Sequence, residues 1–321
     1  MPSYCRYSLR RVIPSSLLPS VLLAALFASL PAVQGAAASD LFPTIPESNW
    51  AGLRLIILPQ SRAVQHYGYQ ELYRDTDKEF VPLPYAEFAG RIVRVVKIEQ
   101  GHGPNGETLD EANLQLEDDK KTIHGDMDGG CMNDVAPVSD LETARKLYLG
   151  KTLWLASDHL SSYDAQKDVS DSPASSTLQE TFRQIKVKQY SPVKVVDIVP
   201  GWYASAPDRF IVQEEATKVS GYVDVHMSNT NVPKDLQAVS RFETIFLESD
   251  PRKTLLWPAK VWTAIENKEV FVGMTASQVR MSWGAPKTVS VLELKQTEQW
   301  AYMPNFSLTL KNGILTNIGR L

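Results

Sequence analysis

One segment of this chain concentrates side chains capable of chemistry. His124-Gly-Asp126-Met-Asp128-Gly-Gly-Cys131-Met-Asn133-Asp134 puts an imidazole, three carboxylates and a thiol into eleven positions. A calcium loop sets Asp or Asn at alternate positions, but here the third such position is Gly130 and the twelfth-position glutamate is missing. Zinc takes His and Cys, yet His124 and Cys131 have no second ligand pair at standard spacing. A Cys–His nucleophile pair is the third option, and it requires the thiolate and imidazole to meet in space. The plainest reading is a glycine-rich acidic surface turn, with metal binding at His124–Asp134 left open.

Nothing else in the chain supplies a reaction. There is no Gly-x-Ser-x-Gly elbow, phosphate-cradling glycine loop or zincin helix. His66, His102, His159 and His226 are scattered over loop and strand-edge contexts, and no carboxylate pair for acid–base work stands out. The densest acidic run, Glu117-Asp118-Asp119, is followed by Lys120-Lys121 and reads as a solvated hairpin tip. The expectation is therefore a protein that binds and does not catalyse, with no catalytic residue, cofactor or metal assigned; a metal-dependent hydrolase centred on His124–Asp134 is the alternative from another class. Trp202-Tyr203, placed in a loop after Pro200-Gly201, is the exposed aromatic pair best suited to touch a ligand.

The elements that must position these groups are mostly strands. Gly52–Leu58, Ile92–Ile98, Ala112–Glu117, Thr152–Ala156, Ile185–Val187, Val193–Val199, Phe210–Gln213, Tyr222–His226 and Phe242–Phe246 are short alternating or β-branched runs between turn residues. One helix is predicted over Ser139–Tyr148. Tyr85…Gly90-Arg91 and Tyr148…Gly150-Lys151 each lead through Gly-basic into a strand. Strand, loop, strand, a Ser220-Gly221 turn and a further strand resemble the core of a bacterial SH3-like barrel. Asp164–Thr181, rich in Ser, Asp and Gln, reads as a mobile surface loop.

The last 65 residues are written most clearly. Trp257-Pro258 opens a helix whose apolar face is Val261, Trp262 and Ile265. Thr275 with Gln278 is a capping box opening a second helix, which Gly284 and Pro286 stop. Val289–Leu294, Glu298–Tyr302, Phe306–Leu310 and Ile314–Ile318 read as strands, the last two joined by an Asn312-Gly313 hairpin turn. Trp262, Ile265, Val279, Trp283, Trp300 and Leu308 form the expected shared core of an independently packed unit.

Gly273-Met274-Thr275, Gln278-Val279, Trp283-Gly284-x-Pro286, Trp300-x-Tyr302, Leu308-x-Leu310 and Asn312-Gly313-x-Leu315-x-x-Ile318 resemble the SmpA/OmlA (BamE-like) family over about residues 257–318. That resemblance implies a non-catalytic α+β binding module at the outer membrane or in the periplasm. Gly273, Met274, Thr275, Trp283 and Pro286, at the helix ends, are the residues that would meet a partner, with Trp202 and Tyr203 as a second set.

The first 38 residues complete the picture. Arg6, Arg10 and Arg11 precede an apolar run, Leu17–Leu30, and Ala36–Ala38 supply small residues for cleavage, so a signal peptide is expected. No cysteine follows that run to carry a lipid, and Cys131 is the sole cysteine past it, so no internal disulfide forms. With 33 basic against 37 acidic side chains, and three of the arginines in the leader, nucleic acid is an unsuitable partner. An envelope protein or peptidoglycan is the expected partner, and no transmembrane segment is expected in the exported product. The fold class is mainly β: tandem small SH3-like barrels, then a helix–helix–antiparallel meander. The expected boundaries are 1–38 for the leader, 48–135 and 136–250 for the β modules, and 255–321 for the last.

Overall fold

Period-two alternation dominates the chain, and strands are what it forms. The computed structural model describes residues 41–74, 81–102, 108–165, 180–292, 296–302 and 306–320, all within one compact unit, residues 37–321. The leader, Cys5 and residues 166–179 lie outside the described residues. The protein is mainly β, built of curled sheets in which every strand pairing is antiparallel. Among the described residues, no helix is long and apolar enough to cross a membrane.

The first sheet has the order β2-β5-β4-β3-β1-β6. Its strands are β1 Arg54–Ile57, β2 Leu72–Arg74, β3 Ile92–His102, β4 Thr108–Leu116, β5 Thr122–Met127 and β6 Val135–Pro137. Leu55 and Ile57 alternate inward from β1 and are fully buried with Trp50, Tyr69, Val93 and Leu114. The β4–β5 connection is the acidic tip, where Lys120 takes a left-handed φ of 61°. Its charges are partnered: Arg91 holds both Asp118 and Asp119, while Arg54 and Arg94 hold Glu117.

The second sheet has the order β13-β7-β10-β11-β12-β8-β9. These are β7 Thr152–Leu155, β8 His159–Ala165, β9 Glu180–Lys186, β10 Ser191–Tyr203, β11 Ala206–Glu214, β12 Ser220–Val225 and β13 Phe246–Leu247. Helix α1, Val138–Tyr148, lays Leu141, Ala144 and Tyr148 on this sheet's core with Phe210, Phe242 and Phe246. The two Gly-basic segments owe their likeness to one device. Gly90 and Gly150 each take positive φ, 77° and 78°, just past a helical segment and turn the chain into β3 and β7.

Four expectations fail here, wholly or in part. Phe242–Ile245 is a helical turn, and only Phe246–Leu247 is strand. The Phe-x-x-Ile-Phe spacing suits a helix as well as a strand, and both phenylalanines are buried either way. Pro200-Gly201 does not end its strand. β10 runs through it with a register shift, so Trp202 and Tyr203 lie on the strand end and not in a loop. A Cβ on Gly201 would sit 2.9 Å from the Ala206 carbonyl oxygen, so glycine there permits close backbone approach. Gly221 likewise lies within β12, where a Cβ would meet Leu160 at 2.8 Å; the turn is made around Lys218. Of Asp164–Thr181, the ends are paired strand, Asp164 opposite Thr181.

The last elements are α2 Ala259–Glu266, α3 Ala276–Trp283, and a sheet in the order β14-β15-β16-β17. Its strands are β14 Thr288–Leu292, β15 Thr297–Tyr302, β16 Phe306–Lys311 and β17 Ile314–Arg320. Both halves of the Thr275–Gln278 capping box form, and Asn312 and Gly313 take φ of 51° and 73° as the tight hairpin requires. Gly284 has positive φ, 80°, but its ψ of −166° lies outside the left-handed helical region. Ile265, Val279, Trp300 and Leu308 are fully buried together, with Trp283 half-buried against them. This core is not closed on itself, which corrects the expectation of independent packing. Tyr190, Ala156 and Leu247 of the second sheet region join it, and Gln189 donates to the Met281 carbonyl at 2.9 Å.

Asp134 sits half-buried just before β6, its carboxyl pushed up to about 6 by desolvation first and by the charge of Glu71 second. A folded-state value above the ordinary one means that the native protein binds this proton more tightly than the unfolded chain. The associated stability is complete below about pH 4 and is lost as pH rises through about 6. Asp134→Asn is therefore expected to raise unfolding free energy at pH 7 by about 2 kcal/mol and to flatten its slope between about pH 4 and 7. Urea midpoints across that range test this; an unchanged slope would contradict it.

Candidate functional site

The His124–Asp134 segment is not the uniform surface turn that its composition suggests. His124 and Asp126 belong to β5, and only Asp128–Cys131 forms the turn, closed by reciprocal backbone bonds between those two residues. Register explains the rest. Glu111 of β4 lies opposite Asp126, and Tyr73 of β2 opposite His124. His124 Nδ1 lies 2.6 Å from Glu111 Oε1, and the Tyr73 hydroxyl donates to Glu111 Oε2 at 2.7 Å and to Asp126 Oδ1 at 3.2 Å. Burial first, then the charges of Glu47, Asp128 and Asp235, pushes the Cys131 thiol up, which disfavours the thiolate a nucleophile requires. Among the described residues, no group of three or more His, Cys, Asp and Glu side chains is placed to hold a metal ion.

Gly273, Met274, Thr275 and Trp283 of the C-terminal candidates have internal duties. Gly273 N–H donates to the Leu315 carbonyl and Ala276 N–H to that of Gly313, while Met274 is fully buried. Trp283 donates through Nε1 to the Lys268 carbonyl at 2.7 Å and meets Tyr302 and Phe306 edge-on. Gly273–Thr275 and Trp283–Pro286 stand at opposite ends of α3, roughly 12 Å apart along its axis. They do not form one site, and neither set adjoins Trp202 and Tyr203 in a common cavity.

Trp202 and Tyr203 do line a cavity of their own. A groove of about 560 Å³ on the second sheet is bounded by them together with Ser157, His159, Ser161, Arg209, Tyr222, Asp224 and Ser240. Arg209 is its centre. The guanidinium lies 4.1 Å from the Trp202 ring centroid and 3.9 Å from that of Tyr222. It also forks onto Asp224, Nε to Oδ1 at 2.7 Å and Nη2 to Oδ2 at 2.8 Å. Arg209 is buried at 8% exposure, whereas Tyr203 is 59% exposed at the rim. Burial is the main cause that pushes the Tyr222 phenol up, so it keeps its proton and its donor capacity.

At the other side of the groove, His159 Nδ1 faces Asp158 Oδ1 at 3.0 Å and Ser157 Oγ at 3.2 Å. Asp158 also takes Lys268 Nζ at 2.9 Å, which ties this wall to the chain just past α2. Both the serine and the aspartate reach the same ring nitrogen. A nucleophilic relay needs the serine on Nε2 and the carboxylate on Nδ1, so this trio lacks that arrangement. Among the described residues Nε2 has no partner.

Sequence reasoning found Trp202 and Tyr203 but missed Arg209, Tyr222, Asp224 and His159. One signal was available: Arg209 and Asp224 are opposite charges equidistant from the turn at Ala216-Thr217, which a tight hairpin pairs directly. Compared with known proteins, the chain matches no family model and no curated sequence.

Proposed function

We propose that this protein is a non-enzymatic binding or scaffolding protein of the bacterial cell envelope, exported by its N-terminal leader and working in the periplasm or peripherally at the outer membrane. The observation that carries this reading is the state of the groove. Its buried arginine is already paired with Asp224, while Tyr203 stands 59% exposed at the rim.

In this reading the β-rich region comprises SH3-like modules, and the C-terminal helices with their meander act as an SmpA/OmlA-like module. Its helix-end residues Gly273, Met274, Thr275, Trp283 and Pro286 form a second, weaker contact surface. The partner is an envelope protein or the peptidoglycan. The full chain carrying a C-terminal tag is expected to fractionate outside the inner membrane after osmotic release or with outer membranes. Recovery in the cytoplasm would contradict the proposal.

A further inference from the structure

We infer that the Trp202–Tyr203 groove takes an uncharged saccharide, a segment of a neutral glycan, and not a peptide, phosphate or nucleotide. This rests on the binding reading above and adds the class of ligand.

The charged groups of the groove are largely spent on one another. Among the described residues Arg209 is the only strong cation lining it, and its guanidinium carbon lies 4.1 Å from the Trp202 ring centroid and 3.9 Å from that of Tyr222. Two of its nitrogens are committed to Asp224. An incoming anion would have to displace that carboxylate from a pair whose side chains are 10% and 20% exposed. An incoming cation would face the same obstacle from the other side, since Asp224 is already neutralised.

What remains is mostly hydroxyl and aromatic surface. The lining presents the hydroxyls of Ser161, Ser240, Tyr203 and Tyr222, the Nε2 atom of His159, and the exposed ring of Tyr203. An apolar aromatic face bordered by small hydroxyl donors and acceptors matches a sugar ring, whose C–H face stacks while its hydroxyls hydrogen-bond. The cavity, about 560 Å³, falls in the usual range for small-ligand sites.

Isothermal titration of the full exported chain tests this, with chitotetraose and cellotetraose as saccharide probes and a neutral tetrapeptide and inorganic phosphate as controls. The expected result is saturable binding of at least one oligosaccharide, little changed by salt, and weakened about tenfold or more by Tyr203→Ala. Tyr203 is largely exposed, so the variant should melt with the wild type. No oligosaccharide binding, or binding that Tyr203→Ala leaves intact, would overturn the inference. Peptide binding lost in Tyr203→Ala would also overturn it while leaving the envelope-binding proposal standing.

Discussion

Asn231→Ala is expected to lower the unfolding free energy by about 3–5 kcal/mol, the largest loss from any single polar residue here. Asn231 is 3% exposed and sits in the connection between β12 and the Phe242 turn. Its Oδ1 accepts from Met132 N–H at 2.7 Å, and its Nδ2 donates to the carbonyls of Met132 and Val135 at 2.8 and 2.7 Å. A segment of the second sheet's region is thereby stitched to the first sheet beside β6. Alanine would strand three backbone groups in a buried place, each costing about 1–3 kcal/mol, partly relieved by water. The residue also holds a left-handed φ of 60°, which asparagine tolerates and alanine resists by about 1 kcal/mol.

The connection has little freedom to adjust. Buried His226 places Nδ1 3.0 Å from the Ser228 carbonyl and Nε2 2.9 Å from that of Val239, bracing both ends. Thr230 Oγ1 adds a bond from Ile45 N–H at 2.8 Å. Chemical denaturation followed by far-UV circular dichroism measures the effect. A loss below about 1 kcal/mol would mean that these bonds are replaced by water without penalty.

Arg209→Ala should cost about 3–4 kcal/mol, because it leaves Asp224 as an uncompensated, largely buried charge. The same change removes the cation packed on the Trp202 and Tyr222 rings, so ligand retention should vanish along with the stability. Arg209→Lys is expected to recover little of either, since an ammonium can neither fork onto both Asp224 oxygens nor stack between two rings. The Arg209→Ala/Asp224→Ala double variant should be more stable than Arg209→Ala alone, as the orphaned carboxylate is gone. Additive losses in that cycle would show the pair to be uncoupled.

What could be read beforehand followed from local chemistry. The Thr275–Gln278 cap and the Asn312-Gly313 turn depend on residues within four positions of one another, and both appear where the sequence puts them. Phe242–Phe246 shows the limit of the same method, because five residues cannot separate a period of two from one of 3.6 when both ends are apolar. The groove was legible only at its rim. Trp202 and Tyr203 announce themselves, but Arg209 reads simply as part of a strand until β11–β12 register sets Asp224 opposite it. His159 depends on a still longer reach, since β8 pairs with β12 through Ser161 and Tyr222, which lie 61 positions apart in the chain. Tyr190, adopted by the C-terminal core, lies 71 positions before Val261, and no spacing rule links them.

On the proposed function, the aromatic rim of the groove is the working surface of the molecule. Retention of purified protein on washed cell envelopes, wild type against Tyr203→Ala, tests it most directly. Wild type should stay bound through washing, and Tyr203→Ala should be released with an unchanged melting temperature. Equal retention of the two proteins, or release of both, would contradict the account.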